Sequence, residues 1–301
     1  MPAGVWVPGS GLAIRQSPWY AIRMARPLRI EFPGAVYHLT SRGNARQRIF
    51  LNNDDRKLFL ETLFHVVTRY GWLCHSYCLM DNHYHLLVET PKPTLCSGMR
   101  HLNGVYTQTY NRRHKKVGHI LQGRYKAILV EKEAYLLELC RYVVLNPLRV
   151  KARDRVDQWK WSSYRATAGL ARAEKFLTID WILSQFGSRK AEAQRRYREF
   201  VREGLGEQPW EKLRAQIYLG GDKFIEGHTD GGESIKEVPR EQWKPVRPSL
   251  EKLFRGKGMN AIGAAYRDYG YRMKEIAEHL GAHYATVSRR LKRIEARSKN
   301  V

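Results

Sequence analysis

The chain has 301 residues, 43% of them hydrophobic, which supports a buried core and excludes a disordered chain. Its 53 Lys and Arg against 29 Asp and Glu leave a formal net charge of +24, so the expected partner is a polyanion. No apolar run approaches the roughly 20 residues of a membrane-spanning helix, and nucleic acid leads over the alternatives of a membrane surface or a ribosome.

Residues 1–23 have neither the apolar core nor the cleavage site of a secretory signal, and they lack periodicity. They read as an extension ahead of a start at Met24, the alternative being a flexible arm that touches DNA. Residues 35–41 (AVYHLTS) are rich in β-formers and predict a strand. Asn53 and Asp54 are expected to cap a helix running to about Tyr70, with Leu60, Leu63, Phe64 and Val67 on one face. Residues 72–79 and 83–89 predict a hairpin turning at Asp81 and Asn82. A second helix over about 94–113 ends in the basic run Arg112, Arg113, Lys115 and Lys116. A strand at 124–131 and a helix at 132–145, stopped by Pro147, follow.

The order β-α-β-β-α-β, then a helix, predicts an α+β fold: a ferredoxin-like antiparallel sheet with helices on one face. Residues 178–203 read as helical and charged. Residues 218–245 are rich in Gly and charge and read as a linker. The expected division is a first domain at 24–170, a helical middle region at 171–217, a linker at 218–247 and a helical module at 248–301. Cys74, Cys78, Cys96 and Cys140 lack zinc-ribbon spacing and read as buried free thiols, which fits a reducing cytoplasm.

The densest polar cluster is Asp81-Asn82-His83-Tyr84-His85. On a strand, residues i and i+2 share a face, so His83 and His85 project together and Tyr84 points away. Two imidazoles there can hold one divalent cation if a further ligand joins them; otherwise the pair is only a polar face. On the third helix Tyr142 and Asn146 are four apart and share a face, with Glu138 one turn earlier. That face would bring a phenol and an amide oxygen to the histidines. A metal would polarise a phosphate while the phenolate attacks phosphorus, giving a 5′-phosphotyrosine and a free 3′-hydroxyl. The alternative for Tyr142 is a half-buried helix aromatic. Tyr135 is the second choice of nucleophile, because position 139 is Leu and offers no polar partner.

From Met24 to about Ala168 the chain resembles the single-tyrosine HUH transposases, specifically the REP-associated tyrosine transposases. The resemblance rests on FPGAVYHLTSRGN, MDNHYHLLVET, YTQTYNRRHKKVGHILQGRYKAILVE, YLLELCRYVVLNPLRV and WKWSSYRA, in that order. It implies metal binding by His83, His85 and Asn146 and a nucleophile at Tyr142. It further implies cleavage and rejoining of single-stranded DNA at palindromic hairpins with Mg²⁺ or Mn²⁺. In this branch the gene is typically a resident chromosomal one. Two positions depart from the pattern: Asp81 stands where proline is expected, and Tyr84 stands between the histidines where an aliphatic residue is expected. A buried Tyr84 is acceptable if its hydroxyl finds a partner.

Arg112, Arg113, Lys115, Lys116 and Arg124 are the expected backbone contacts. Tyr106, Tyr110, Trp159, Trp161 and Tyr164 are available for base stacking, with about half of them expected in the core. His38, His75, His101, His114 and His119 are assigned to packing or DNA contact, not to the metal.

Residues 271–295 predict a helix at Lys274–Leu280, a turn at Gly281 and a helix from Tyr284 to Glu295. Small Ala277 and the basic second helix fit a helix-turn-helix that reads duplex DNA, against an ordinary basic helical hairpin. His283, Tyr284, Thr286 and Ser288 would face bases, and Arg289 and Arg290 would hold phosphates. The sequence therefore predicts a transposase-type enzyme, monomeric or homodimeric. The rivals are a catalytically idle DNA-binding regulator and an RNA-directed protein on the same scaffold.

Overall fold

The computed structural model describes residues 29–150, 152–206, 209–228, 247–255, 258–269 and 271–298. The predicted extension at 1–23 lies outside the described residues. Strand β1 (Ala35–Arg42) is followed by α1 (Asn53–Tyr70), β2 (Leu73–Leu79), β3 (His83–Thr90), α2 (Leu95–His114), β4 (Lys126–Val130) and α3 (Lys132–Arg149). The first four strands lie in the order β2-β3-β1-β4, all antiparallel, which is the ferredoxin-like arrangement. Two short strands extend it: β6 (Tyr218–Leu219) pairs in parallel with β4, and β5 (Leu213–Arg214) pairs with β6.

The alternation of β1 and β3 separates two faces. Leu39, Tyr84 and Leu86 are fully buried on one. There the Tyr84 hydroxyl donates to Asn103 Oδ1 of α2 at 2.7 Å, and its ring packs on Phe59 of α1. An aromatic between the histidines is thus satisfied, as a buried phenol must be. His38, Thr40, His83 and His85 project from the other face, where α3 packs.

Several element ends differ from the sequence expectation. The cap of α1 is Asn52, whose Oδ1 accepts from the Asp54 and Asp55 amides at 3.1 Å each. Asp55 returns the bond to the Asn52 amide, closing a capping box. Pro147 does not stop α3; the helix runs on to Arg149 with the proline inside it. The 178–203 segment is two helices, α5 (Asp180–Ser184) and α6 (Lys190–Glu203), and a short α4 (Tyr164–Thr167) precedes them. The expected linker opens with folded residues: Tyr218 and Leu219 are fully buried in the sheet, and α7 (Asp222–Gly227) follows. Its remaining residues, 229–246, lie outside the described ones.

A second small core forms at the C-terminal end. Here α8 (Leu250–Phe254), α9 (Gly258–Gly263), α10 (Met273–His279) and α11 (Tyr284–Ser298) enclose Leu253, Ile262, Ala265, Ile276, Ala277, Val287 and Leu291. Gly281 makes the bend between α10 and α11 at φ +59°, a left-handed conformation that a side chain would strain.

Candidate active site

His83 and His85 open strand β3, with their rings 5.0 Å apart at 76°. Each has its Nδ1 occupied. His83 Nδ1 lies 2.7 Å from Asn82 Oδ1, an acceptor, so Nδ1 carries the proton and Nε2 keeps its lone pair. His85 Nδ1 lies 2.9 Å from His38 Nε2 on the neighbouring strand, both rings being buried. His85 Nε2 is buried and has no hydrogen-bond partner. An orphaned imidazole nitrogen is costly unless something takes it up. His38 Nδ1 is likewise buried without a partner; if His85 donates to His38, His85 Nε2 is left as a free base, which is the form a cation needs.

Electrostatics keep these rings neutral. Burial, with Lys126 nearby, pushes His38 down to about 3. Burial followed by the adjacent His38 and His83 holds His85 well below its ordinary value. Burial and Arg42 lower His83, with Asp81 partly opposing them.

Helix α3 delivers the other two groups. The Tyr142 ring lies 6.0 Å from that of His85 and 6.2 Å from that of His38, nearly perpendicular to both. One turn on, Asn146 Nδ2 donates to the carbonyls of Tyr142 at 2.9 Å and Val143 at 3.3 Å. The second bond has a specific cause. Pro147 has no N–H, so the Val143 carbonyl loses its regular helical donor, and the Asn146 amide replaces it. With Nδ2 engaged by the helix, Oδ1 is the atom left to face the cleft. Glu138, expected on this face, instead pairs with Arg141, and Tyr135 lies under Lys212.

His83, His85, Tyr142 and Asn146 all line one open cleft of about 1750 Å³. Among the described residues no group of three or more His, Cys, Asp or Glu gathers to hold an ion. The cleft residues that could hold an ion are the imidazoles of His83 and His85 and the amide oxygen of Asn146. Nitrogen and oxygen donors of this kind suit a divalent cation whose shell water or phosphate oxygens would complete.

The cleft is strongly basic. Arg42, Arg46, Arg48, Arg124, Lys126, Arg153 and Lys160 line it, with Asp81 as the acidic counterpart. Asp81 pairs with Arg56 and lies 3.8 Å from Arg48, while its carbonyl accepts from Ile49 and Phe50. Aspartate at this turn thus anchors the loop after β1. Of the predicted backbone contacts, only Arg124 lines the cleft; Arg112, Arg113, Lys115 and Lys116 are exposed at the end of α2, away from it. Arg113 is engaged by Asp54 at 2.8 Å and Asp55 at 3.5 Å, so it secures the helix pair. Of the aromatics, Tyr106, Tyr110 and Tyr164 are core residues; Trp159 and Trp161 line the cleft. In the C-terminal module His283, Tyr284, Arg289 and Arg290 are exposed, and Thr286 and Ser288 are partly so.

Sequence reasoning does not single out His38 as a site residue. Its signal is present, since it stands two residues before Thr40, the strand partner of His85, and so shares the histidine face. Trp210 carries no such signal. It comes from a 3-10 turn far along the chain, yet its ring meets Tyr142 at 4.7 Å and His38 at 5.0 Å.

Residues 32–146 match the family model described as IS200-like transposase. No curated protein matches the chain. Among solved structures, a REP-associated tyrosine transposase bound to a REP hairpin is similar at 16% identity, covering 52% of this chain and 91% of that one, with a TM-score of 0.43. A protein of Deinococcus radiodurans R1 described as a transposase is similar at 17% identity, covering 39% of this chain and 95% of that one, with a TM-score of 0.29. No helix among the described residues is long and apolar enough to cross a membrane.

Proposed function

We propose that the protein cleaves and rejoins single-stranded DNA at hairpin-forming repeats through a covalent tyrosine intermediate, a reading supported by the match of residues 32–146 to the IS200-like transposase model. The observation that carries this reading is one cleft lined by Tyr142, Asn146, His83 and His85 together with basic side chains. Arg42, Arg124 and Lys126 supply the charge that draws a phosphate backbone in. The partly exposed Trp161 offers aromatic surface to unpaired bases, with Trp159 buried beside it. The hairpin class of substrate follows from the sequence resemblance to the REP-associated tyrosine transposases.

His83, His85 and Asn146 would hold Mg²⁺ or Mn²⁺, which when bound supplies a Lewis acid that polarises a non-bridging phosphate oxygen. Tyr142, deprotonated, attacks phosphorus in line. The bond from phosphorus to the 3′-oxygen breaks, that oxygen takes up a proton, and the 5′-phosphate remains on Tyr142. One phosphodiester is exchanged for another, so the reverse attack by a second 3′-hydroxyl rejoins strands without nucleotide hydrolysis. The neutral, hydrogen-bonded histidines keep the site pre-organised for this step.

Helices α10 and α11 fit a duplex-reading role beside the catalytic domain, with Tyr284 and Arg290 on their exposed side. The test is incubation of the full chain with hairpin oligonucleotides in Mn²⁺. A denaturation-resistant protein–DNA adduct that disappears in Tyr142→Phe supports the enzyme. Tight hairpin binding without cleavage supports the idle regulator instead.

A further inference from the structure

We propose that Trp210 is a positioning residue for Tyr142, so that the working catalytic domain includes the distant segment Pro209–His228 as well as residues 32–146. This rests on the phosphotyrosine reading above.

Tyr142 stands in an open, basic cleft, where a phenol held only at its Cα could swing between rotamers. Its ring is instead bounded on several sides. Trp210 meets it at 4.7 Å and 86°, an edge-to-face contact, while stacking obliquely on His38 at 5.0 Å and 33°. The Arg149 guanidinium faces the same ring at 5.1 Å. Trp210 thus joins the nucleophile to the histidine that orients His85. The cleft lining includes Tyr142 but not Trp210, so the indole backs the phenol and leaves the substrate side open.

The segment carrying Trp210 is held to the domain along its length. Lys212 lies over Tyr135 on the same helix α3, at 5.7 Å. Leu129 and Glu131 amides donate to the carbonyls of Ile217 and Leu219 at 2.7 and 2.8 Å, and the Gly221 amide donates to Glu131 Oε2 at 2.8 Å. Leu219 and Ile225 are fully buried. His228 stacks on Phe32 at 4.2 Å, tying the far end of the segment to the start of the sheet. These contacts make Trp210 a fixed wall, and a reacting group that drifts by about 1 Å loses on the order of 100-fold in rate.

The test is the single-turnover rate of covalent adduct formation on a hairpin oligonucleotide with Mn²⁺, using the full chain. Trp210→Leu keeps apolar bulk without the ring, and Trp210→Phe keeps a ring. We expect Trp210→Leu to slow the step by about 10- to 100-fold, with hairpin Kd unchanged within about 3-fold and the wild-type melting profile retained. Trp210→Phe should recover most of the rate. Should Trp210→Leu fail to fold, Trp210→Phe and Trp210→Tyr carry the comparison, and rates that follow ring geometry while Kd stays constant support the role. A Trp210→Leu protein as fast as wild type, or rate and affinity falling together, overturns it. A folded wild-type protein that forms no adduct overturns the phosphotyrosine reading itself.

Discussion

His38 Nε2 lies 2.9 Å from His85 Nδ1, and the remaining nitrogens of the pair, His85 Nε2 and His38 Nδ1, are buried with no partner among the described residues. One buried hydrogen bond therefore couples the tautomers of the two rings, and His85 Nε2 is the free base when His85 is the donor. His38→Leu removes this partner. Mn²⁺ affinity, read by calorimetry on the protein without DNA, should fall by about 10- to 100-fold. His38→Gln offers an amide oxygen in place of the imidazole nitrogen and should retain most of the affinity. Equal affinity in wild type and His38→Leu would contradict the assignment.

The same histidines predict an acid-sensitive fold. Their folded values lie below the ordinary 6.5, so between 6.5 and the folded value the unfolded chain binds more protons than the native one. Stability is then fully present above pH 6.5 and lost as pH falls, for His38 down to about 3. Denaturant unfolding between pH 6.5 and 5 should show falling stability, and His38→Gln should flatten that slope by roughly one proton's worth. An unchanged slope would contradict this.

Pro147 is coupled to Asn146 through the Val143 carbonyl. Pro147→Ala restores a backbone donor to that carbonyl and removes a helix-interior proline, worth up to about 3 kcal/mol. It also releases the Asn146 amide from its second anchor. The variant should melt at higher temperature while binding Mn²⁺ more weakly. A gain in both properties would show that the amide orientation does not depend on the proline.

The C-terminal module makes two separable predictions. Gly281→Val forces a β-branched residue into φ +59° and should destabilise α10 and α11 by about 1–2 kcal/mol, visible as early melting of that module. Exposed Arg289 and Arg290, each changed to Ala, should lower the salt slope of duplex binding by about 0.9 for each phosphate that is no longer neutralised. A salt slope that does not move would leave α11 outside the DNA interface.

Much of this architecture is legible in the sequence because local rules agree with the fold. The period-2 strands, the His-x-His pair and the four-residue spacing of Tyr142 and Asn146 each follow from backbone geometry alone. Pro147 misleads because its usual helix-breaking cost is offset here by a side-chain donor one residue earlier. Asn53 reads as the cap where Asn52 fills that place, since capping depends on which residue leaves the helix, and both are asparagines. Strands β5 and β6 read as the end of a helical region and the start of a linker because two-residue strands have no periodicity; only pairing with β4 defines them. Clustering along the chain favours the basic run Arg112–Lys116. The cleft collects its cations from separate elements, so Arg42, Lys126, Arg153 and Lys160 form no run.

The central claim is that Tyr142 is the residue that becomes linked to DNA. Its most direct test is to trap the reaction on a hairpin oligonucleotide with Mn²⁺, digest the adduct and locate the phosphonucleotide by mass spectrometry. The account predicts a 5′-phosphate ester on the α3 peptide at Tyr142, absent from Tyr142→Phe. An adduct on Tyr135, or one that persists in Tyr142→Phe, would contradict it.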